Sequence, residues 1–290
     1  MVKADWRFSR RISQFVEPSA RTPSSHPKRQ TRSSRLSSRE ADNPIYHSTM
    51  AFLLGGQVMH RLLRGRWGQR QIMDHLMCAG PRCLAPVVVT NICAGVIFGI
   101  QTAREMARFG AVSSLGSAFA AAYCRELAPL LTAGVLACQV GSAFAAEIAT
   151  MKLTQQIDAL KMLRTDPIDY LVMPRVLACA IMLPVLTILA LFCGVVSGGL
   201  ITTHTYDLSM VTFLDGVRGY LTVSDVMLVI GKAAVFGCVI AVASCSRGLT
   251  AALHGKGVGQ SATSAVVTAW IALFLIDLII SCLSLLTLLH

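Results

Sequence analysis

Long apolar runs fill most of the chain after residue 83, and they limit the folds that it can adopt. Five such runs cover residues 84–103, 111–149, 171–200, 226–245 and 262–289. A membrane-spanning helix needs about 20 predominantly apolar residues, and only helices or closed barrels satisfy their backbone hydrogen bonds inside lipid. The runs predict an all-α polytopic membrane protein with about five transmembrane helices, although the second run is long enough for two segments.

The composition excludes several other classes of protein. Hydrophobic residues make up 54% of the chain and charged residues 14%, whereas charged residues reach roughly 25% in soluble domains. This excludes an ordinary soluble enzyme, a disordered chain and a nucleic-acid-binding module. The ten cysteines show no C-x-x-C spacing and lie mostly in apolar runs, so we interpret them as small hydrophobic residues rather than disulfides or metal ligands.

The amino-terminal region has a different composition. Residues 1–49 contain ten Lys/Arg and four Asp/Glu, are rich in Arg and Ser, and lack the apolar core of a secretory signal. This basic leader is typical of an organellar transit peptide, and the alternative is a solvated tail on anionic lipid. Residues 50–82 alternate apolar and basic side chains, which predicts an interfacial amphipathic segment before the transmembrane domain at 83–290.

Basic residues also predict the orientation of the helices. Segments 61–82, 148–175 and 246–260 contain eleven Lys/Arg, whereas segments 104–124 and 201–225 contain three. Because basic loops stay on the cytoplasmic (or equivalent inner) side of a membrane, this predicts the amino terminus inside and the carboxyl terminus outside.

No catalytic motif is present in the sequence. The G-x-x-x-x-G-K-[ST] pattern of P-loop ATPases does not occur, and neither does the motif of a serine hydrolase or a zinc protease. We therefore expect no catalytic residue and no metal ligand on this chain.

The inner loop that follows the second run has helical periodicity. Leu153, Ile157, Leu160 and Leu163 recur at helical spacing, and Pro167 cannot continue the helix. This predicts a short amphipathic helix at about 148–164. The pattern alone fits equally well a helix on the membrane surface and a helix docked into a partner's groove.

Four charged residues interrupt the apolar runs. Arg125 and Glu126 lie in the second run, Lys232 in the fourth and Asp277 in the fifth. Each costs about 2.5–3.5 kcal/mol at the bilayer centre, so we expect them to face the interior and pair with one another. They form either a structural ion-pair tie or a polar patch beside a substrate path.

The sequence around these residues resembles the MlaE/YrbE-type permease family, the membrane subunits of lipid-transporting ABC systems that work with MCE-domain proteins. The resemblance covers about residues 71–288. The motifs that carry it are Arg125-Glu126-Leu-Ala-Pro129, Gly141-Ser142-Ala-Phe-Ala-Ala-Glu147, Gln156-Ile-Asp158-Ala-Leu160, Asp166-Pro167-Ile-Asp-Tyr170, Gly231-Lys232-Ala-Ala and Gly257-Val-Gly259-Gln.

The resemblance implies that the inner loop contains the coupling helix that docks on a separate ABC ATPase, which would bind ATP and Mg²⁺ while this chain holds no cofactor. It implies an MCE-domain lipid-binding partner and a homodimer whose central cavity lies near Arg125, Glu126, Lys232 and Asp277. The coupling residues that it implies are Glu147, Met151, Thr154, Gln156, Asp158 and Leu160.

Together with the basic leader, the resemblance implies a plastid member of the family. The expected function is to move a phospholipid or precursor, of the phosphatidic acid type, across the chloroplast inner envelope. The alternatives are a bacterial plasma-membrane permease of the same family, an ion-coupled secondary transporter in which Lys232 and Asp277 relay protons, and a scaffold that transports nothing.

Overall fold

The computed structural model describes residues 53–56, 69–163, 166–206, 209–252 and 255–289. The basic leader and most of the interfacial segment at 50–82 lie outside these residues, so both remain predictions. Within the described ranges the regular elements are all helical, in agreement with the predicted all-α class.

Five helical stretches are long and apolar enough to cross a membrane, as the sequence predicts. We number them as spans 1 to 5 in chain order: Gly80–Arg108, Val112–Leu153, Ile168–Tyr206, Val223–Leu249 and Lys256–Ser284. Spans 1, 3 and 4 extend beyond both ends of their predicted apolar runs, whereas spans 2 and 5 extend beyond one end only. Span 2 is a single helical path of 42 residues rather than two segments. At about 1.5 Å per residue it is about twice as long as the 30 Å hydrocarbon core, so its ends project beyond that core.

Spans 1, 4 and 5 each lie within one α-helix, whereas span 2 connects three α-helices through 3₁₀ and π-helical segments and span 3 begins with a π-helical segment. The described α-helices are α1 (Gln69–Arg108), α2 (Leu115–Phe119), α3 (Ala128–Leu136), α4 (Ser142–Leu153), α5 (Gln156–Met162), α6 (Met173–Tyr206), α7 (Met210–Tyr220), α8 (Val223–Leu249) and α9 (Gly255–Leu289). Helix α1 is already helical from Gln69, so the last residues of the predicted interfacial segment continue directly into span 1.

Proline explains two segments in which the backbone is wound more widely than in an α-helix. The backbone is wound as a π-helix over Ala120–Leu127 and again over Ile168–Val172. Pro129 and Pro174 each follow the end of such a segment by two residues. Proline has no N–H to donate to the carbonyl four residues earlier, so the α-helical pattern fails there and the preceding turn widens.

The predicted coupling helix at about 148–164 is divided in the structure. Span 2 continues through α4 to Leu153, and the chain turns at Thr154 and Gln155 before the short helix α5 begins. Gln155 has a φ of 58°, in the left-handed region that stops a right-handed helix. The amphipathic pattern therefore extends over the end of one helix and the whole of the next.

Helix α7 lies within residues 201–225, for which the sequence predicts only an outer segment. The Ser209 hydroxyl accepts a hydrogen bond from the backbone N–H of Val211 and caps the helix. Phe213 and Val217 are buried in a small core with Phe119 and Tyr123 of span 2. The amino-terminal end of span 2 and the carboxyl-terminal end of span 3 are thus covered by protein.

Helices α1 and α6 approach closely through small residues. Gly95 and Gly99 on α1 face Gly194 and Gly198 on α6, and the Ser197 hydroxyl donates a hydrogen bond to the Ile92 carbonyl across the contact. Glycines spaced by four residues let helix backbones approach within lipid, where polar contacts then add to the packing.

The spans differ in how much protein covers them. In span 2, 56% of the residues in the most apolar stretch are buried, whereas in span 5 the figure is 11%. Span 2 is therefore the central helix of the described bundle. Span 5 exposes a row of apolar side chains that includes Val267, Ile271, Phe274 and Leu278.

We predict that Gly95→Ala destabilises the bundle, because the added methyl group would overlap the Gly194 carbonyl oxygen and the Ser197 hydroxyl. Overpacking of this kind costs about 1–3 kcal/mol. The matched control is Gly259→Ala, where a Cβ atom would meet nothing within 4 Å. Thermal unfolding in detergent should show a lower midpoint for Gly95→Ala only. Equal midpoints for the two variants would contradict the close packing of α1 on α6.

Candidate functional site

Lys232 lies at the centre of an ion-pair cluster inside the membrane-spanning region. Its Nζ is 2.5 Å from Glu126 Oε2 on span 2 and 2.5 Å from Asp277 Oδ1 on span 5. The Lys232 side chain is 1% exposed. The pairing predicted for Lys232 and Asp277 is therefore present, and Glu126 joins it as a second carboxylate.

A serine completes the contacts of the Lys232 ammonium. Ser281, one turn beyond Asp277 on α9, accepts a hydrogen bond from Lys232 Nζ at 3.3 Å. The Ser281 hydroxyl in turn lies 3.1 Å from Glu126 Oε2, to which it donates. Spans 2, 4 and 5 are thus connected by one polar network, and this network satisfies charges that would otherwise be costly in hydrocarbon.

Arg125 has a separate set of partners on the outer side of the same network. Its NH2 donates to the Ser284 hydroxyl at 3.2 Å, and its NH1 lies 3.9 Å from Asp225 Oδ1 at the start of α8. The long ion pair makes Arg125 the less tightly held of the two cations. Asp225 also closes a capping box with Thr222 at the amino terminus of α8.

The backbone explains how neighbouring residues reach different partners. Arg125 and Glu126 lie in the π-helical segment Ala120–Leu127, whose winding orients them toward α8 and α9. Such turns occur frequently at functional sites. In the same segment, a buried hydrogen bond joins Tyr123 to Asn91 of span 1, with the Tyr123 hydroxyl 3.0 Å from Asn91 Oδ1.

The charged side chains of the cluster differ in their exposure to solvent. The Glu126 side chain is 39% exposed and that of Asp277 is 14% exposed, whereas Lys232 is enclosed by its partners. Any ligand that approaches would therefore meet Glu126 and Arg125 before Lys232. With Asp225 included, three carboxylates surround two cations, so the cluster has an excess of one acidic group.

Around the loop between spans 2 and 3, the six predicted coupling residues have different environments. Glu147 pairs with Arg175, Met151 and Leu160 pack partly against the core, and the Thr154 hydroxyl bonds back to its own helix. Gln156 and Asp158 are exposed, and Asp158 forms an ion pair with Lys161 at 3.2 Å. Glu147, Met151 and Leu160 are therefore held by the bundle, whereas Gln156 and Asp158 face outward.

Three residues of these sites were missed by the sequence analysis. Met162 on α5 is 87% exposed and, with Leu163 beside it, forms the most apolar exposed point of the inner loop. Arg175 was counted only among the basic residues of segment 148–175, and Asp225 was not singled out. The buried position of Arg175 follows from tertiary packing, while Asp225 is signalled by its spacing from Thr222 in a capping box.

The family model described as Permease MlaE matches residues 72–283, which include both the ion-pair cluster and the inner loop. The chain belongs to the MlaE permease family.

Relatives of this MlaE permease are found in bacteria and plastids. A probable ABC transporter permease protein of Synechocystis sp. is 46% identical over 231 residues, which cover 80% of this chain and 88% of the relative. The Arabidopsis thaliana protein TRIGALACTOSYLDIACYLGLYCEROL 1, chloroplastic, is 39% identical over 237 residues, 82% of this chain and 68% of the relative. A probable ABC transporter permease protein of Pyropia yezoensis is 36% identical over 225 residues, 78% and 86% of the two chains.

The family makes this chain an ABC transporter permease of the MlaE type. Its relatives are named as permeases, which are the membrane subunits of ABC transporters and not enzymes themselves. The five spans and the inner loop therefore belong to a transport protein.

We predict that Lys232→Met destabilises this MlaE permease by about 3–5 kcal/mol, because it leaves two carboxylates without their cation. Adding Asp277→Leu should recover most of the loss, since an apolar pair can replace a buried ion pair and the half-exposed Glu126 can be hydrated. The measurement is thermal unfolding in detergent.

The matched control for this experiment is Arg108→Met. It removes an exposed ion pair with Glu105 at 3.3 Å, which contributes about 0–1 kcal/mol. A Lys232→Met protein with the unfolding midpoint of Arg108→Met would contradict the view that the cluster connects spans 2, 4 and 5.

Proposed function

We propose that the chain is the membrane permease subunit of an ABC-type lipid transporter that moves a phospholipid or precursor, of the phosphatidic acid type, across the chloroplast inner envelope. ATP and Mg²⁺ would bind to a separate ATPase chain, and this chain would hold no cofactor of its own. The observation that carries the proposal is the ion-pair cluster within the spans of an MlaE permease. Intramembrane ionisable residues mark substrate paths more often than they mark lipid-facing surfaces.

The open part of the cluster has the chemistry of a headgroup site. The Arg125 guanidinium, held loosely by Asp225 at 3.9 Å, can exchange that partner for a phosphate oxygen, which it binds in a two-pronged geometry. Glu126 is partly exposed beside it and can accept a hydrogen bond from a hydroxyl or amine. Lys232 would then be a structural cation, since two carboxylates already surround it.

A second copy of the chain would complete the lipid path. Span 5 contributes Asp277 and Ser281 to the cluster, yet most of its apolar stretch is uncovered. A homodimer in which this helix faces its partner would enclose the cluster in a shared cavity. An MCE-domain lipid-binding protein would receive or deliver lipid at the outer end, where Arg125 lies.

The inner loop supplies the contact for the ATPase. Met162 at the end of α5 and Leu163 directly after it are exposed, and the polar residues Asp158 and Gln156 of α5 are exposed as well. An exposed apolar point within a polar rim is typical of a helix that docks into a partner's groove. This exposed apolar point supports docking on a partner over a position on the membrane surface.

Two other functions remain as rival hypotheses. In an ion-coupled transporter, Lys232 and Asp277 would relay protons, and lipid transfer would continue without the ATPase but stop when the proton gradient collapses. In a scaffold that transports nothing, lipid flux would be unchanged after Arg125, Glu126, Lys232 and Asp277 are neutralised. Relatives named as ABC permeases favour the ATP-driven function over both.

We predict that Met162→Glu weakens binding of the ATPase at least tenfold and reduces ATP-dependent lipid transfer between reconstituted vesicles. A charge placed at the centre of an apolar contact is poorly tolerated. The matched control is Phe109→Glu, because Phe109 is 77% exposed on the outer side. Reversal of Asp158 should act in the same direction as Met162→Glu. Unchanged co-purification and hydrolysis in Met162→Glu would remove this loop as the contact.

We also propose that the basic leader directs the chain to a plastid, with the bacterial plasma membrane as the alternative site. Residues 1–49 fused to a fluorescent protein should reach plastids, and the mature chain should begin near residues 40–55. The control fusion carries the same residues with their ten Lys/Arg replaced by Gln, since transit peptides depend on basic residues. Uniform cytosolic fluorescence of the unaltered fusion would refute the plastid location and leave the permease function untouched.

A further inference from the structure

Arg175 connects the two stems of the inner loop, which are the end of span 2 and the start of span 3. It lies near the start of α6, its side chain is 2% exposed, and its NH2 is 2.8 Å from Glu147 Oε2 on α4. Its NH1 donates to the Leu171 carbonyl at 2.7 Å, and its guanidinium lies over the Phe144 ring, 5.4 Å from the centroid. One buried cation therefore contacts the end of span 2 and the beginning of span 3.

Lys152 makes a second connection from the same helix. Its Nζ donates to the Leu249 carbonyl at 2.8 Å and to the Ala251 carbonyl at 2.9 Å. These carbonyls lie at and just beyond the carboxyl end of α8, where a helix has no internal donors left, and where a cation also complements the helix dipole. The last turns of α4 are thus bound to span 3 through Glu147 and to span 4 through Lys152.

The short helix between these connections has little packing of its own. In α5 only Ile157 is fully buried, and Leu160 is partly buried. The position of α5 relative to the spans therefore depends on the α4 helix that precedes it. Since α8 also carries Lys232, the Lys152 contact lies at the carboxyl end of a helix whose amino-terminal half contributes to the ion-pair cluster.

We propose that Arg175 and Lys152 are positioning residues that transmit a displacement of α5 into the membrane-spanning bundle. Arg175 holds the loop stems together, so that spans 2 and 3 move as one body when α5 is pushed. Lys152 passes the same displacement along α8 to Lys232 and its carboxylate partners. This inference rests on the proposed function, because it needs an ATPase that acts on α5.

A structural role for the same residues makes a different prediction. If Arg175 only stabilises the fold, its loss lowers the amount of assembled complex, and lipid transfer and ATP hydrolysis fall in proportion. If Arg175 positions the loop, the assembled complex still hydrolyses ATP but moves less lipid for each ATP. The ratio of lipid transferred to ATP hydrolysed therefore separates the two roles.

The experiment measures this ratio for the full chain reconstituted in phospholipid vesicles with its ATPase and MCE-domain partner. We expect the ratio to fall at least fivefold in Arg175→Met and in Lys152→Met, and less in Arg175→Lys, which keeps the charge but loses the second donor. Glu147→Gln keeps the shape of its side chain and serves as the mild variant if Arg175→Met does not assemble. The matched control is Arg108→Met on the outer side.

Each outcome bears on one claim. A wild-type ratio in assembled Lys152→Met and in assembled Arg175→Met or Glu147→Gln overturns the inference and leaves the proposed function intact. A wild-type complex in which lipid transfer does not depend on ATP instead overturns the proposed function. A lower ratio in the variants, with normal binding of the ATPase, supports both.

Discussion

The enclosure of Lys232 by two carboxylates is the constraint on which the arrangement of spans 2, 4 and 5 depends. An ammonium buried in hydrocarbon needs partners, and here they come from two helices distant in sequence, with Ser281 as a third contact. Because all three helices must present their polar groups at one depth, their rotation and height are fixed relative to one another. Apolar packing alone specifies such a register weakly, since lipid is as apolar as the side chains.

The close approach of α1 and α6 fixes the other side of the bundle by different means. Gly95 and Gly99 meet Gly194 and Gly198, and a hydrogen bond from Ser197 to Ile92 crosses the contact. Span 2 lies between these two arrangements and contacts both, through Tyr123 on one side and Glu126 on the other. The polar site is therefore supported by a helix whose opposite face is well packed.

The sequence predicts the spans and the pairing of Lys232 with Asp277 because both follow from the cost of placing polar groups in lipid. It predicts less well where the backbone departs from an α-helix. The division of the coupling helix at Gln155, the capped helix α7 and the π-helical turns depend on local geometry that hydrophobic periodicity does not encode. Arg175 lies 28 residues after Glu147 in the sequence, and only the folded loop shows that the two residues meet.

The π-helical segment Ala120–Leu127 also has a consequence for how this span can change during evolution. A π turn is equivalent to an α-helix that has gained one residue. The part of span 2 after the segment is therefore rotated about the helix axis, relative to the part before it, compared with a continuous α-helix. Deleting one residue here would rotate every side chain on one side of the segment by about 100° relative to the other side. Alignments of related chains should therefore place single-residue gaps at this point only where the polar partners on α8 and α9 have changed as well.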